Sequence, residues 1–255
     1  MTSLPRYMCK ATLLALCLAA ANGAYAQIGS INSAIVNQRV FNDVPGATLT
    51  TVSSYPSTIS FNEQNVSGSG FANRDTWQFS NNGGTSAYQF KNNDYFSATM
   101  TMTLTGSPIT PRKEAGFLFS GASGFTGGDL QFFVDTDAHE VVQVGGISFF
   151  SFGPTMTYVS GTPITLGIDY FVAGDGNNAF QFFANDTASS VFEFAPGTGI
   201  DGGVLGGYFQ IVQDSSNPEN SGSAVFQNIG IVPEPSVFAL LGLGLPLLFL
   251  RRRSK

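Results

Sequence analysis

The sequence predicts an all-β protein built as an antiparallel β-sandwich, and three observations favour this fold class. Residues 96–105 alternate strictly, with apolar side chains on one face and serine or threonine on the other, as in a half-buried strand. Short aromatic or β-branched runs recur between Gly, Asn, Asp and Ser residues, which is typical of sandwiches and barrels. Between the two chain ends, no stretch shows the 3.6-residue period of an amphipathic helix.

The order of these runs divides the chain into four parts. We expect a signal peptide over 1–26, a poorly ordered lead-in with one or two strands over 27–69, a β-sandwich over 70–231 and a separate tail over 232–255. The lead-in is rich in Ser, Asn and Thr, and an opening strand is expected within 47–61. The other predicted strands are 76–79, 96–105, 115–119, 130–134, 141–144, 164–172, 179–183, 191–194, 204–212 and 223–231.

The N-terminal segment has the three regions of a secretory signal peptide. Arg6 and Lys10 give a positive start, residues 11–21 are apolar, and Ala24-Tyr25-Ala26 is an A-x-A cleavage site. We therefore expect a signal helix and cleavage by signal peptidase after Ala26. An uncleaved anchor is disfavoured because the apolar run is short and ends in small residues.

The charge of the exported body excludes some partners. Both cysteines, Cys9 and Cys17, fall in the signal peptide, so the body has no thiol and no disulfide. Residues 27–232 contain 5 basic and 16 acidic side chains, a net charge of −11. A body of this charge repels nucleic acid and anionic lipid, so no nucleic-acid partner is expected.

The C-terminal tail combines three features in a fixed order. Pro233, Glu234 and Pro235 form a rigid, extended segment. The uncharged apolar run 237–250 follows, and as a helix it covers about 21 Å of a hydrocarbon core of about 30 Å. Arg251, Arg252 and Arg253 then form a basic end, which favours the cytoplasmic side of a membrane. These features predict a short transmembrane helix.

Motif, apolar helix and basic end together closely resemble the PEP-CTERM sorting signal of Gram-negative bacteria. The resemblance implies that Pro233, Glu234 and Pro235 are recognised by an exosortase, and that Arg251 to Arg253 are the basic stop. It also implies transient anchoring in the inner membrane, followed by delivery to the cell envelope or extracellular matrix. The alternative is an ordinary tail anchor that is retained.

The body resembles the concanavalin A-like lectin and glucanase sandwich, a jelly-roll fold, and in particular its laminin G-like members. The resembling segments are 96–104, 114–119, the hairpin 130–144, 166–172 and the closing strand 226–231. This resemblance implies a fold with two antiparallel sheets, and it carries no diagnostic motif for function.

An acidic cluster at Asp135, Asp137 and Glu140 offers one catalytic hypothesis. Laminarinase-type glycoside hydrolases on this sandwich carry a Glu-x-Asp-x-x-Glu strand with paired carboxylates about 5 to 5.5 Å apart. Here the first position is the shorter Asp135. The simpler interpretation is a polar hairpin turn between strands 130–134 and 141–144, and we favour it.

Metal sites have weak support in the sequence. His139 is the only histidine and the body has no cysteine, which argues against zinc. Calcium is possible, because loops supply hard oxygen ligands in two places. The candidate sets are Asp129, Asp135 and Asp137, or Asp175, Asn177 and Asn178. Asx-rich turns use the same residues without metal.

Together these features predict an exported, cell-envelope or exopolysaccharide-associated protein whose sandwich acts as a non-catalytic binding or structural module. A glycan or exopolysaccharide is the expected ligand, and Trp77, Phe149 and Phe152 are candidate sugar-stacking rings. The alternative is a divergent laminarinase-type hydrolase that uses Asp135, Asp137 and Glu140.

Overall fold

The computed structural model describes residues 28–234, and it confirms the predicted antiparallel β-sandwich. Besides fourteen strands, these residues contain two 3-10 turns, Ile28–Ser30 and Gly153–Thr155. The strands are β1 Ser33–Asn37, β2 Thr48–Ser54, β3 Thr58–Gln64, β4 Ala72–Ser80, β5 Phe96–Ser107, β6 Lys113–Ser120, β7 Leu130–Asp135, β8 Val141–Val144, β9 Phe150–Ser151, β10 Pro163–Val172, β11 Asn178–Ala184, β12 Thr187–Glu193, β13 Val204–Val212 and β14 Ser221–Pro233.

The strands form two seven-stranded sheets whose neighbours are antiparallel. Sheet A has the order β1-β4-β13-β6-β7-β8-β9, and sheet B has the order β12-β11-β10-β5-β14-β3-β2. The chain crosses between the sheets repeatedly, for example from β3 to β4, to β5 and to β6. This winding is the predicted jelly-roll arrangement.

The lead-in is more ordered than the sequence predicted. Three strands lie in 28–69, where one or two were expected, and they add to both sheets. β1 pairs with β4 at the edge of sheet A, and the β2-β3 hairpin forms the edge of sheet B. Ser, Thr and Asn occupy the outward positions of these edge strands, which hides the alternation of the few apolar residues. The predicted signal helix and transmembrane helix lie outside the described residues.

Aromatic rings fill the space between the sheets. Trp77 on β4 is fully buried and makes edge contacts with Phe79 and Phe226, at ring-centroid distances of 5.2 and 6.0 Å. Phe226 lies on β14, so this contact joins sheet A to sheet B. Such edge-to-face pairs contribute about 0.5–1.5 kcal/mol each beyond the burial of their area.

The outer face of sheet B carries the threonine row that the alternation predicted. Thr99 and Thr105 are exposed on β5, while the intervening Met100, Met102 and Leu104 are buried in the core. The hydroxyl of Thr101 lies 3.4 Å from that of Thr165 on the neighbouring β10. The row is therefore the solvent face of a central strand.

One buried ionic cluster joins the lead-in to the core. The guanidinium of Arg39 donates to both carboxylate oxygens of Glu63, at 3.1 and 3.2 Å, and the backbone N–H of Arg39 donates to Oδ1 of Asp75 at 2.9 Å. Asp75 is fully buried, and its Oδ2 makes no hydrogen bond within residues 28–234. Burial raises the pKa of Asp75 to about 7, against the opposing hydrogen bond from Arg39.

This pKa predicts a pH-dependent stability. The folded state holds the proton of Asp75 more tightly than the unfolded chain, so the associated stability is full below the unfolded pKa of about 4 and is lost as the pH rises through about 7. The melting temperature of the 27–232 body should fall between pH 5 and pH 8, and less so in Asp75→Asn. Asp186→Asn, at an exposed turn, is the control. Equal pH slopes in all three proteins would contradict the assignment.

Candidate functional site

The outer face of sheet A carries a cluster of polar and aromatic side chains, most of them buried. The register aligns Arg74 on β4, Gln210 on β13 and Glu114 on β6 in one row across three adjacent strands. The next row contains Tyr208, with Phe133 on β7 beyond Gly116. We call these five side chains, Arg74, Gln210, Glu114, Tyr208 and Phe133, the sheet A site.

Arg74 is the cation of the site, and its neighbours hold it in place. Its Nε donates to Oε1 of Gln210 at 2.7 Å. Its guanidinium carbon lies 5.2 Å from the ring centroid of Tyr208 and 5.7 Å from that of Phe41, so two aromatic rings flank the charge. No carboxylate among the described residues forms an ion pair with Arg74. Its terminal N–H groups therefore have no anionic partner there.

The exposed ring of Phe41 borders Arg74, and a second exposed ring, Phe71, contacts Phe41. Phe41 is 55% exposed and Phe71 is 59% exposed, and the rings meet edge to face with centroids 6.3 Å apart. Phe41 lies in the loop after β1, which is fixed to β4 by a hydrogen bond from the N–H of Val40 to the carbonyl of Arg74. Val40 is 53% exposed as well, so the site has an accessible apolar border.

Glu114 and Tyr208 form the buried floor of the site. Gln210 donates from Nε2 to Oε1 of Glu114 at 2.9 Å, which completes a relay from Arg74 through Gln210 to Glu114. Burial raises the pKa of Glu114, and the positive charges of Arg74 and Arg112 lower it in part. Burial and the adjacent Glu114 raise the pKa of Tyr208 well above its usual value. The hydroxyl of Tyr208 is buried and, within residues 28–234, makes no hydrogen bond of ordinary geometry.

The acidic cluster between β7 and β8 forms the predicted hairpin turn. Oδ1 of the buried Asp135 accepts the backbone N–H groups of Ala138 and Glu140 at 3.0 and 3.2 Å, which ties the turn together. Oδ2 of Asp135 lies 3.3 Å from a guanidinium nitrogen of Arg112, and Asp137 accepts from Nε of Arg112 at 2.9 Å. Asp135 is thus held by donors and a cation, which does not favour it as a free nucleophile.

The same hairpin holds His139 in its turn and places two of the predicted calcium ligands at opposite ends of β7. His139 has a φ of 60° in the turn, and its Nδ1 lies 3.0 Å from the carbonyl oxygen of Tyr158. Asp129 precedes β7 and Asp135 ends it, so about 20 Å of strand separates them and one ion cannot bind both.

The second calcium set is also divided. Asp175 closes an Asx turn by accepting the N–H of Asn177 at 2.9 Å, while Asn178 donates to Thr198 and accepts from Tyr95. In the part of the chain that the structure describes, no three His, Cys, Asp or Glu side chains form a metal cluster. Calcium binding at Asp175 stays a prediction.

The three candidate stacking rings occupy different environments. Trp77 is in the core, so it is not available to a sugar. Phe152 is partly buried against the core, and Phe149 is 67% exposed in the β8-β9 connection.

The predicted sorting motif begins where the sandwich ends. Pro233 is the last residue of β14, and the N–H of Glu234 donates to the carbonyl of Tyr95 at 3.0 Å. Pro235, the basic stop Arg251 to Arg253 and the cleavage residues Ala24 and Ala26 lie outside the described residues. Within 28–234, neither 3-10 turn has the length or hydrophobicity of a membrane span.

Sequence reasoning missed the sheet A site. Arg74, Gln210 and Glu114 are far apart in the chain, and only the strand register makes them neighbours. One signal was present in the sequence: Glu114 precedes the apolar residues of β6, in a body with few charges.

Neither the family models nor the curated proteins give a match to this chain. Among solved structures, a family 7 alginate lyase, A1-II', is 13% identical, with 73% of this chain and 82% of that chain covered and a TM-score of 0.47. The alginate lyase Aly36B is 11% identical, with coverages of 79% and 97% and a TM-score of 0.44. The carbohydrate recognition domain of Emp47p is 14% identical, with coverages of 78% and 94% and a TM-score of 0.42. These similarities are too distant to support a functional conclusion.

The geometry of Asp135 predicts that the body does not cleave polysaccharides at the hairpin. We expect no release of reducing ends from laminarin. If cleavage is found, the variants Glu140→Gln and Glu114→Gln show which of the two sites is responsible. Cleavage lost in Glu140→Gln would restore the hydrolase hypothesis, and cleavage lost only in Glu114→Gln would place catalysis in the sheet A site.

Proposed function

We propose that this is an exported cell-envelope or exopolysaccharide-associated protein whose sandwich binds a glycan, without cleaving it, at the sheet A site. The observation that carries the proposal is Arg74, held between the rings of Phe41 and Tyr208 beside a second exposed ring, Phe71. Binding sites for small ligands combine such apolar and aromatic surface with a few placed polar groups.

The chemistry of the site suits a sugar. The exposed faces of Phe41 and Phe71 offer surface for the C–H side of a pyranose ring. The terminal N–H groups of Arg74 offer hydrogen bonds to sugar oxygens, and the buried ring of Tyr208 supports the guanidinium from below. Because packing and the Gln210 relay already orient Arg74, little conformational entropy is lost when the ligand binds.

Export is the second part of the proposal. The signal-peptide pattern ending at Ala26 and the Pro-Glu-Pro tail support passage through signal peptidase and an exosortase. The thiol-free body is consistent with folding outside the cytoplasm, because it has no cysteine to oxidise. We propose that the protein is held briefly in the inner membrane and then delivered to the envelope or matrix.

A glycan array with the purified 27–232 body tests the binding proposal. Phe41→Ala and Arg74→Gln should each weaken binding by about tenfold, or about 1.4 kcal/mol, because each removes a contact surface or a donor set. Phe149→Ala is the control, since Phe149 is an exposed ring in the β8-β9 connection, outside the sheet A site. Equal losses in Phe41→Ala and Phe149→Ala would contradict the assignment.

The sorting proposal is tested in a host that carries an exosortase. The wild-type chain should lose its tail, while replacement of Pro233, Glu234 and Pro235 by alanine should leave a full-length form in the inner membrane. C-terminal mass spectrometry measures both. If the wild type and the triple variant retain the tail alike, the segment is a hinge before a permanent anchor.

A further inference from the structure

The segment that carries Phe41 is pinned to the start of β4. We call residues 38–47, which connect β1 to β2, the β1-β2 loop. Three of its backbone N–H groups donate to three successive residues of β4: Val44 to Oδ1 of Asn73 at 2.8 Å, Val40 to the carbonyl of Arg74 at 2.8 Å, and Arg39 to Oδ1 of Asp75 at 2.9 Å. Phe41 lies between these anchors, so they set the position of its ring beside the guanidinium of Arg74.

Arg39 is held in an unusual backbone conformation by its side-chain partners. Its φ is 50°, in the left-handed region that residues other than Gly rarely adopt. Its guanidinium donates to both oxygens of Glu63, at 3.1 and 3.2 Å, and to the carbonyl of Ala47 at 3.0 Å. It also forms an ion pair with Asp43, whose side chain is 70% exposed, whereas Glu63 is fully buried. The loop therefore depends on the pairing of Arg39 with a buried carboxylate.

One proton satisfies the two buried carboxyl groups, Asp75 and Glu63. Both oxygens of Glu63 accept from Arg39, as expected of an ionised carboxylate. Oδ1 of Asp75 accepts the N–H of Arg39, whereas its buried Oδ2 has no hydrogen-bond partner within residues 28–234. A proton on Oδ2 turns this unsatisfied acceptor into a donor, and the side chain of Glu63 is close enough to accept it.

The surroundings of Asp75 make the closed loop sensitive to pH. Burial raises the pKa of Asp75 to about 7, and the charge of Glu63 acts in the same direction, against the hydrogen bond from Arg39. The other charged group at this cluster is the exposed carboxylate of Asp43. An open loop admits water to Asp75 and returns its pKa to about 4, so the open form binds fewer protons. Opening is therefore favoured as the pH rises from about 4 to about 7, and the effect levels off where both forms are ionised.

We infer that the proton held between Asp75 and Glu63 latches the β1-β2 loop onto β4 in mildly acidic solution, and that the loop opens more often toward neutral pH. We call this arrangement the Asp75 latch. Phe41 moves with the loop, so its ring is fixed beside Arg74 only in the latched form. The latch is a property of the folded chain and does not depend on the proposed glycan, but a ligand that contacts both Phe41 and Arg74 would bind the latched form.

Hydrogen exchange of the full-length chain between pH 5 and pH 8, followed by mass spectrometry, tests the latch. The informative peptide covers residues 38–44 and contains the three anchored N–H groups. After division by the intrinsic exchange rate, its exchange should rise about tenfold or more between pH 5 and pH 7 and then level off, because one proton leaves as the loop opens. A peptide around Asn185, whose N–H donates to the carbonyl of Thr165 at 2.7 Å, is the internal control and should not change. A general loss of stability would alter both peptides alike.

Two variants separate the buried carboxyl group from the exposed one. Asp75→Asn mimics the protonated acid, since its amide keeps an acceptor for the N–H of Arg39 and supplies a permanent donor, and it should abolish the rise. Asp43→Asn removes only the exposed carboxylate at Arg39 and should keep the rise. The same rise in Asp75→Asn as in the wild type would overturn the latch. Equal pH profiles of the 38–44 and Asn185 peptides in the wild type would overturn it as well, whether or not Asp75→Asn folds.

Discussion

Packing of aromatic rings between the two sheets is the interaction on which the rest of the structure depends. The body has no thiol, so no covalent bond can hold sheet A to sheet B. Rings from opposite sheets meet instead, as in the pairs Trp77–Phe226, Phe119–Phe180 and Phe132–Phe182, with centroids 6.0, 5.9 and 5.1 Å apart. The inward positions of the strands fill this core, and the outward positions of sheet A carry a second, smaller buried cluster together with polar side chains.

The sheet A site lies on this outer face. Arg74, Gln210 and Glu114 stand on the outer side of strands whose inner side chains, such as Phe117 and Phe209, belong to the core. A rigid core holds the three strands in register, and the register sets the hydrogen-bond relay among the polar side chains. A side chain also organises the neighbouring hairpin, where the carboxylate of Asp135 accepts two backbone N–H groups of the turn.

β14 connects the sandwich to the tail. It lies between β5 and β3 inside sheet B, so about half of its residues are paired on both sides before the chain reaches the predicted Pro-Glu-Pro motif. Its last residues lose β3 but keep β5, which leaves Pro233 extended at the surface of the folded body. Pro233, the first residue of the predicted Pro-Glu-Pro motif, is therefore also the last residue of the sandwich.

The sequence by itself determined the fold class, the hairpin at Asp135 and most of the strands, because alternation and turn residues are local properties of the chain. Predicted strands 141–144 and 204–212 coincide with β8 and β13. The lead-in strands were underestimated, since their stability comes from pairing with distant partners such as β4. The sheet A site was decided by tertiary structure alone: Arg74 and Gln210 are 136 residues apart, and only the pairing of β4 with β13 brings their side chains within hydrogen-bonding distance.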